Sequence, residues 1–191
     1  MSDIRAPSRL IYSLSASLDG FMEDEQGNFD WGAPDDEVHS FINDQLRPVG
    51  TYLFGRRMYE TMAVWDTMDD EHPAMREFAE IWRSADKIIY SRTLDAVTTR
   101  RTRLEREFDP DAILRLKESA ERDIEVGGPS LAVDAFRAGI VDEVRLFVVP
   151  VVVGGGKPAL PRGVRLDLEL LEERRFAGGT VYLRYRCLGS G

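Results

Sequence analysis

The chain has 191 residues, of which 43% are hydrophobic, and its formal net charge is −9. This length is typical of one domain of ~100–200 residues, which can bury a core without disulfides or a metal. The acidic balance argues against a nucleic-acid partner, because phosphate backbones require a basic face. No apolar run reaches the ~20 residues of a membrane span, the N-terminus lacks a signal-peptide core, and Cys187 is the single cysteine. We therefore expect a soluble, cytoplasmic protein without a membrane partner.

The first three-quarters of the chain alternate between predicted strands and helices. Apolar periodicity and the positions of Gly and Pro predict, in chain order, a strand at 10–17, a helix around 38–46, a strand at 51–54, a helical stretch from 55 to 64, a helix from 73, a strand at 87–90, a helix at 110–121, a strand at 123–126 and a helix between 129 and 139. Strands that alternate with helices are typical of a mostly parallel sheet.

The last quarter of the chain has a different pattern. It predicts a long strand at 144–153, interrupted by Pro150, and then two alternating strands at 164–170 and 180–188. The predicted fold class is therefore α/β, a three-layer sandwich with a mostly parallel central sheet and an antiparallel C-terminal edge hairpin. We expect one domain over 9–188, a flexible tail at 1–8 and a disordered end at 189–191.

Two common phosphate-binding loops are absent from the sequence. The stretch Gly154-Gly155-Gly156-Lys157 is followed by Pro158 rather than by the Ser or Thr of a nucleotide triphosphatase loop. No Gly-x-Gly-x-x-Gly follows a predicted strand, which disfavours a standard dinucleotide-binding fold. A nucleotide cofactor would need another arrangement.

Three junctions where a predicted strand ends could provide that arrangement. They are Gly55-Arg56-Arg57-Met58, Ser91-Arg92-Thr93 and Gly127-Gly128-Pro129-Ser130. Glycine permits close backbone approach, helix starts offer N–H groups, and guanidiniums bind phosphate. Each junction alone is equally compatible with a tight turn, but ligands of α/β sheets bind at the carboxyl ends of the strands.

These motifs, together with Ser17-Leu18-Asp19-Gly20 and the segment 150–158, occur in the order found in a known family. The sequence resembles the dihydrofolate reductase-like superfamily over nearly its whole length. Within that superfamily it is more similar to the reductase domain of the bifunctional riboflavin-biosynthesis deaminase/reductase and its stand-alone relatives. The zinc deaminase motifs of the bifunctional enzyme are absent from this sequence.

The resemblance implies an NADPH site, a small-molecule substrate and a homodimer in which 144–153 and the final hairpin form a contact. The implied cofactor contacts are Gly55, Arg56, Arg57 and Met58 at the phosphates, Ser91, Arg92 and Thr93 at the adenosine 2′-phosphate, Gly127, Gly128, Pro129, Ser130 and Leu131 at the pyrophosphate, and Ala16 and Gly20 beside the nicotinamide. The implied substrate pocket is bordered by Ser17, Asp19 and Trp31. A 2′-phosphate requires cationic and hydroxyl donors, which NADH would not use.

The catalytic acid remains open between two interpretations. Asp36 follows Trp31 and Pro34 in the way that the acid of folate-reducing members does, so the resemblance implies a proton donor there. Alternatively, Asp35 and Asp36 cap the predicted helix and favour its dipole. His39, near Asp36 on the same helix, could border the pocket, but we expect it on the surface. We expect the acidic stretch 66–72 to be a solvated loop without a metal.

The predicted function is an NADPH-dependent reductase, similar to 5-amino-6-(5-phosphoribosylamino)uracil reductases, that acts on a small heterocyclic or carbonyl/imine substrate. The alternatives are dihydrofolate reductase activity and a non-catalytic nucleotide-binding homodimer that retains the fold.

Overall fold

A computed structural model describes residues 8–189 of the chain. The strands are β1 Leu10–Ser17, β2 Phe21–Glu23, β3 Val49–Gly55, β4 Asp86–Tyr90, β5 Thr102–Glu105, β6 Asp123–Gly127, β7 Glu143–Val149, β8 Lys157–Pro158, β9 Asp167–Arg175 and β10 Val181–Leu188. The helices are α1 Asp36–Leu46, α2 Arg56–Met62, α3 Pro73–Ser84, α4 Pro110–Ser119 and α5 Pro129–Arg137, with 3₁₀ turns at Asp30–Gly32 and Ala63–Asp66.

Eight of the strands form one sheet in the order β5-β4-β3-β6-β1-β7-β10-β9. The pairs from β5 to β7 are parallel, and β10 pairs antiparallel with both β7 and β9. This arrangement confirms the predicted α/β class with a mostly parallel sheet and an antiparallel C-terminal edge.

Side chains alternate along each buried strand, so apolar side chains lie on both faces of the sheet, and helices cover both faces. On β3, Leu53 packs in a core with residues of α4 and α5, whereas Tyr52 and Phe54 pack in a second core with residues of α1, α2 and α3. Trp82 of α3 is fully buried in that second core. Two cores on opposite faces make the fold a three-layer sandwich.

Local signals explain where several helices begin and end. The Asp35 carboxylate accepts a hydrogen bond from the Val38 N–H at 2.9 Å and caps α1. Proline occupies the first turn of α3, α4 and α5, where its missing N–H has no helical partner to lose. Helix α4 ends at Ser119, two residues before the predicted end.

The strand predicted at 144–153 is shorter than expected. Strand β7 ends at Val149, since Pro150 cannot donate to a ladder, and the Val151 N–H turns back to the Val149 carbonyl at 2.8 Å. The strand predicted from 164 begins at Asp167 and continues to Arg175. The short antiparallel ribbon of β2 and β8 was not predicted, because two or three residues carry no periodicity.

Two further expectations change at the edges of the domain. Ser8 belongs to the folded domain rather than to a tail, because its N–H and hydroxyl both donate to the Lys117 carbonyl, at 3.1 and 3.0 Å. Residues 1–7, 190 and 191 lie outside the described residues.

Strand β7 runs between β1 and β10, so among the expected dimer contacts only the hairpin strand β9 lies at a sheet edge. The homodimer itself stays a prediction.

A buried ionic cluster lies near the amino ends of β1, β6 and β7. We define it by five residues, namely Arg9, Asp123, Glu143, Arg145 and Arg184. The Glu143 carboxylate lies 2.6 Å from Arg9 Nη1, 3.0 Å from Arg145 Nη2 and 2.8 Å from Arg184 Nη2. Arg9 also pairs with Asp123 at 2.5 Å. Burial opposes ionisation of Glu143, but hydrogen bonds from Arg184 and Arg145 outweigh it and lower its pKa to about 2.

Candidate functional site

The predicted junctions meet at one edge of the sheet. Because β3, β4 and β6 are parallel neighbours, their carboxyl ends lie side by side: Gly55 pairs in register with Tyr90, and Phe54 with Gly127. The junctions after β3, β4 and β6 are therefore adjacent in space although they are distant in sequence.

A cavity of about 800 Å³ opens at this edge. Of the predicted site residues, Trp31 and the stretches 55–58 and 127–131 line it. The β2–β8 ribbon adds Met22, Glu23 and Lys157 to the wall. Cavities of this size at strand carboxyl ends are typical ligand sites of α/β folds.

Two glycines of the site have a steric requirement. A Cβ on Gly127 would lie 2.5 Å from Cε1 of the buried Phe54 ring, which is closer than carbon atoms can approach. Gly128 caps α5 with φ +84°, in the left-handed region that glycine adopts without strain. The double glycine therefore permits β6 to pass directly into α5 beside the cavity.

The two arginines at the start of α2 make weak contacts with neighbouring side chains. Arg56 Nε lies 2.7 Å from Glu60 and its Nη1 donates to the Thr93 hydroxyl at 3.2 Å. The Arg57 guanidinium, with 72% of its side chain exposed, lies 3.4 Å from Glu23. The Arg56–Glu60 pair is exposed on both sides and contributes only ~0–1 kcal/mol, and the Arg57 contact is long, so both guanidiniums can exchange their partners for a ligand phosphate.

The Ser91–Thr93 loop lies beside the cavity without lining it. The buried Ser91 hydroxyl accepts the N–H groups of Thr93 and Leu94, at 3.2 and 3.0 Å, and so shapes the loop. Arg92 is exposed and pairs with Glu107 at 3.2 Å. The Arg56–Thr93 hydrogen bond connects this loop to α2. Its role at a 2′-phosphate stays a prediction.

The residues at the end of β1 lie outside the cavity lining. Ala16 and Ser17 are buried, and the Ser17 hydroxyl accepts the Phe21 N–H at 2.9 Å. Gly20 turns with φ +88°. The Asp19 carboxylate accepts the Gly154 N–H at 2.8 Å, and hydrogen bonds from Ser17 and then from the Gly154 and Val153 N–H groups lower its pKa. This turn thus joins the loop after β1 to the loop after β7, while Ser13 and Ser15 of β1 line the cavity instead.

The structure does not place the Asp36 carboxylate on the cavity wall. Asp36 is the first residue of α1, and its side chain is 84% exposed. Its Oδ1 lies 3.2 Å from Nε2 of His72. Capping of α1, the alternative interpretation, is seen in Asp35. Asp36 as a catalytic acid stays a prediction without support from the cavity geometry.

Apart from Trp31, the predicted site did not include the large side chains contributed to the cavity lining by α1, α3 and the turn Ala63–Asp66. His39 was expected on the surface, but it is only 9% exposed and lines the cavity one turn after Asp36. Burial, followed by repulsion from His72, lowers the pKa of His39. One feature of the sequence could have identified these lining residues. His39 and Ile42, like Met75 and Phe78, are three residues apart, so each pair lies on one helix face.

Residues 8–189 contain neither a cluster of metal ligands nor a membrane-spanning helix. Within that range, no group of three or more His, Cys, Asp and Glu side chains could hold a metal ion. No helix in the same range is both long and apolar enough to cross a membrane.

The chain matches the family model of the RibD C-terminal domain over residues 8–182. It is 30% identical to YyaP, an uncharacterized protein of Bacillus subtilis, over 187 residues that cover 95% of this chain and 96% of YyaP.

Solved structures of low sequence identity share the fold. A Shewanella sp. PV-4 protein named for riboflavin biosynthesis has a TM-score of 0.75 at 18% identity, covering 94% of this chain and 99% of its own. A pyrimidine reductase-like protein of Corynebacterium diphtheriae has a TM-score of 0.70 at 14% identity, with 96% and 93% covered. The diaminohydroxyphosphoribosylaminopyrimidine deaminase/5-amino-6-(5-phosphoribosylamino)uracil reductase of Thermotoga maritima has a TM-score of 0.67 at 16% identity, covering 95% of this chain and 57% of its own. With the family model matched over residues 8–182, this chain belongs to the RibD C-terminal domain family, on a dihydrofolate reductase-like fold.

Proposed function

We propose that the protein is an NADPH-dependent reductase that delivers hydride to a small heterocyclic, carbonyl or imine substrate. The observation that carries this proposal is the convergence of residues 55–58 and 127–131 on one cavity of about 800 Å³ at the carboxyl edge of the sheet. Membership of the RibD C-terminal domain family supports a reductase. The Thermotoga maritima neighbour, described in part as a uracil reductase, has the same fold.

The residues of this edge fit a dinucleotide. Gly55 lines the cavity, and a Cβ added to it would meet nothing within 4 Å among the described atoms. Backbone that faces open space at a helix start is where a phosphate can approach the N–H groups closely. Arg56 and Arg57 add cations there, which an acidic protein requires to hold a polyanion.

The Ser91–Thr93 loop is the proposed site for the 2′-phosphate. Arg92 and Thr93 are exposed, and Arg56 reaches the same loop. A cation and hydroxyl donors suit a dianionic phosphomonoester, which NADH lacks. NADPH binding should therefore be stronger than NADH binding.

Bound NADPH supplies hydride from its nicotinamide ring. The chain's own contribution would be to bind the phosphates, to hold the nicotinamide ring against Met58 and Leu131, and to exclude water. A dry, apolar surrounding strengthens the electrostatic contacts made to the reacting groups.

Titration of the protein with NADPH and NADH, followed by nicotinamide fluorescence, tests the cofactor assignment. We expect Arg56→Ala and Arg92→Ala each to weaken NADPH binding ~10-fold or more, because a hydrogen bond to a charged group contributes ~1.5–3 kcal/mol. Arg92→Ala should leave NADH affinity unchanged. Arg165→Ala is the matched control, since Arg165 is 89% exposed and pairs with the nearby, exposed Asp167.

Equal affinity for NADPH and NADH, unchanged by either substitution, would contradict the cofactor assignment. NADPH binding without oxidation across pterins and pyrimidine ribosides would contradict turnover and support the non-catalytic nucleotide-binding protein.

A further inference from the structure

The cavity has two walls of different chemistry. The wall already described, at the starts of α2 and α5, provides backbone N–H groups and guanidiniums. The other wall is formed by the turn Asp30–Gly32, α1, the turn Ala63–Asp66 and α3. Its large apolar side chains, which we call the aromatic wall, are Phe29, Trp31, Ile42, Trp65, Met75 and Phe78.

The aromatic wall is preformed by ring contacts. The Trp65 and Phe78 ring centroids lie 4.5 Å apart, and the indole N–H of Trp31 is bonded to the Asn28 carbonyl at 3.1 Å. Phe29 is 48% exposed although it lines the cavity. Large aromatic rings left beside an open cavity offer a stacking surface for another flat ring.

Charge on the cavity lining is divided between the walls. Among the described lining residues, the cations are Arg56, Arg57 and Lys157, from the start of α2 and from β8. Arg57 and Lys157 both neighbour Glu23, the first through an ion pair and the second as its partner in the β2–β8 ribbon. The aromatic wall provides none of these cations, and its turn contributes the carboxylate of Asp30. A phosphate or sulfonate stacked against these rings would lose hydration, and none of the lining cations belongs to this wall to compensate its charge.

His39 is the polar side chain within this apolar surface. It lines the cavity, is 9% exposed, and its ring centroid lies 5.7 Å from that of Phe78. The charged or titratable groups that act on it are Asp36 of its own helix, His72, and Glu77 of α3. A neutral imidazole in a cavity wall has one donor and one acceptor to offer a ligand.

We propose that the aromatic wall is the substrate subsite and that it takes an uncharged planar ring, with His39 as the hydrogen-bonding partner of a ring nitrogen or carbonyl oxygen. This inference rests on the proposed reductase function and narrows its substrate class. It predicts that a phosphorylated riboside is a poor ligand of this chain, in contrast to a neutral ring of the same size.

A matched set of three ring compounds tests the subsite in the full-length protein. Isoquinoline is a neutral ring with one nitrogen acceptor, isoquinoline-5-sulfonate adds one negative charge, and naphthalene lacks the nitrogen. Binding is read from quenching of tryptophan fluorescence, because Trp31 and Trp65 lie in the wall, at a pH where isoquinoline is neutral. We expect isoquinoline to bind at least ~10-fold more tightly than the sulfonate, as an unpaired charge in an apolar site costs several kcal/mol.

Substitutions at the two histidines separate the hydrogen bond from packing. His39→Phe should weaken isoquinoline ~5- to 20-fold, the effect of losing one hydrogen bond, and leave naphthalene binding unchanged or stronger. His39→Gln, which retains an amide donor, should restore part of the isoquinoline affinity. His72→Gln is the control, because His72 is exposed and outside the cavity lining. Circular dichroism confirms that each variant is folded.

The outcomes distinguish this inference from the proposed function. If NADPH binds with its 2′-phosphate preference but the sulfonate binds as tightly as isoquinoline, or His39→Phe weakens both neutral rings equally, the subsite inference is wrong and the cofactor assignment stands. If the ring compounds behave as expected but NADPH and NADH bind equally or not at all, the cofactor assignment fails and the ring subsite remains.

Discussion

At the amino ends of β1, β6 and β7 the charged side chains neutralise one another, whereas at the carboxyl ends of β3 and β6 guanidiniums lie beside an open cavity. Glu143 in the ionic cluster contacts three guanidiniums, and Arg145 beside it has only 4% of its side chain exposed. At the opposite edge the Arg56 and Arg57 side chains are 48% and 72% exposed. Arg56 contacts the exposed carboxylate of Glu60, and Arg57 makes a longer contact of 3.4 Å with Glu23. Paired, buried charge therefore stabilises one edge, and loosely paired charge remains for a ligand at the other.

Two glutamates on strands that flank β1 form a second contrast. Glu125 of β6 and Glu143 of β7 both pair in register with Ile11 of β1, so their side chains point to the same face. Glu143 is ionised and fully paired, but the buried Glu125 Oε2 has no hydrogen-bond partner among the described residues. Burial raises the pKa of Glu125 to about 8, although Arg145 opposes this. At neutral pH the Glu143 carboxyl is therefore ionised, whereas the Glu125 carboxyl favours its neutral form.

The largest effect is expected for Glu143→Gln. The substitution leaves Arg145 buried without its carboxylate, and breaking a buried pair typically costs ~3–5 kcal/mol of unfolding free energy. Urea unfolding at neutral pH measures the loss. Glu169→Gln is the matched control: its partner Arg186 is exposed, and a change of less than ~1 kcal/mol is expected. Equal losses in the two variants would show that the ionic cluster adds no more than a surface pair.

A pH-dependent effect is expected for Glu125→Gln. Between the ordinary glutamate pKa of 4.5 and the raised pKa of about 8, the folded state holds a proton on Glu125 and the unfolded state does not. The stability of the natural protein should therefore fall relative to the variant as pH rises through this range, by up to ~1.4 kcal/mol per pH unit. Unfolding free energies of both proteins measured from pH 4 to about 9 check this. A constant difference across the range would contradict the raised pKa.

The smallest effects on stability are expected at two glycines of the cavity edge. Gly127→Ala should lower unfolding free energy by ~1–3 kcal/mol, because the new Cβ displaces the buried Phe54 ring. Gly55 has φ −76° and faces open space, so Gly55→Ala should change stability by less than ~1 kcal/mol, because the poorer N-cap residue is offset by the lower entropy of the unfolded chain. Gly55→Ala should nevertheless weaken NADPH binding, measured by the same titration, since the methyl group occupies the proposed phosphate approach. Unchanged NADPH affinity in a stable Gly55→Ala protein would remove Gly55 from the site.

Local chemistry accounts for the parts of the fold that were predicted correctly. Apolar periodicity located α1 and β3, and Pro129 with Gly139 bracketed α5, because these signals act within a few residues. The convergence of the junctions after β3, β4 and β6 followed from a general property of parallel sheets. The β2–β8 ribbon and the end of β7 at Val149 depended on contacts across the chain and were not predictable in this way.

By itself, the sequence determined the order of the longer strands and helices, the left-handed turn at Gly128 that glycine favours, and the family, because short-range sterics and ordered motifs encode them. Only the tertiary structure decided which polar side chain of α1 faces the cavity. Asp36 and His39 lie one turn apart on the same helix, and the packing of α1 beside α3 leaves the carboxylate exposed and buries the imidazole in the cavity wall. Such a choice depends on how two amphipathic helices seat against one sheet, which neither helix specifies alone.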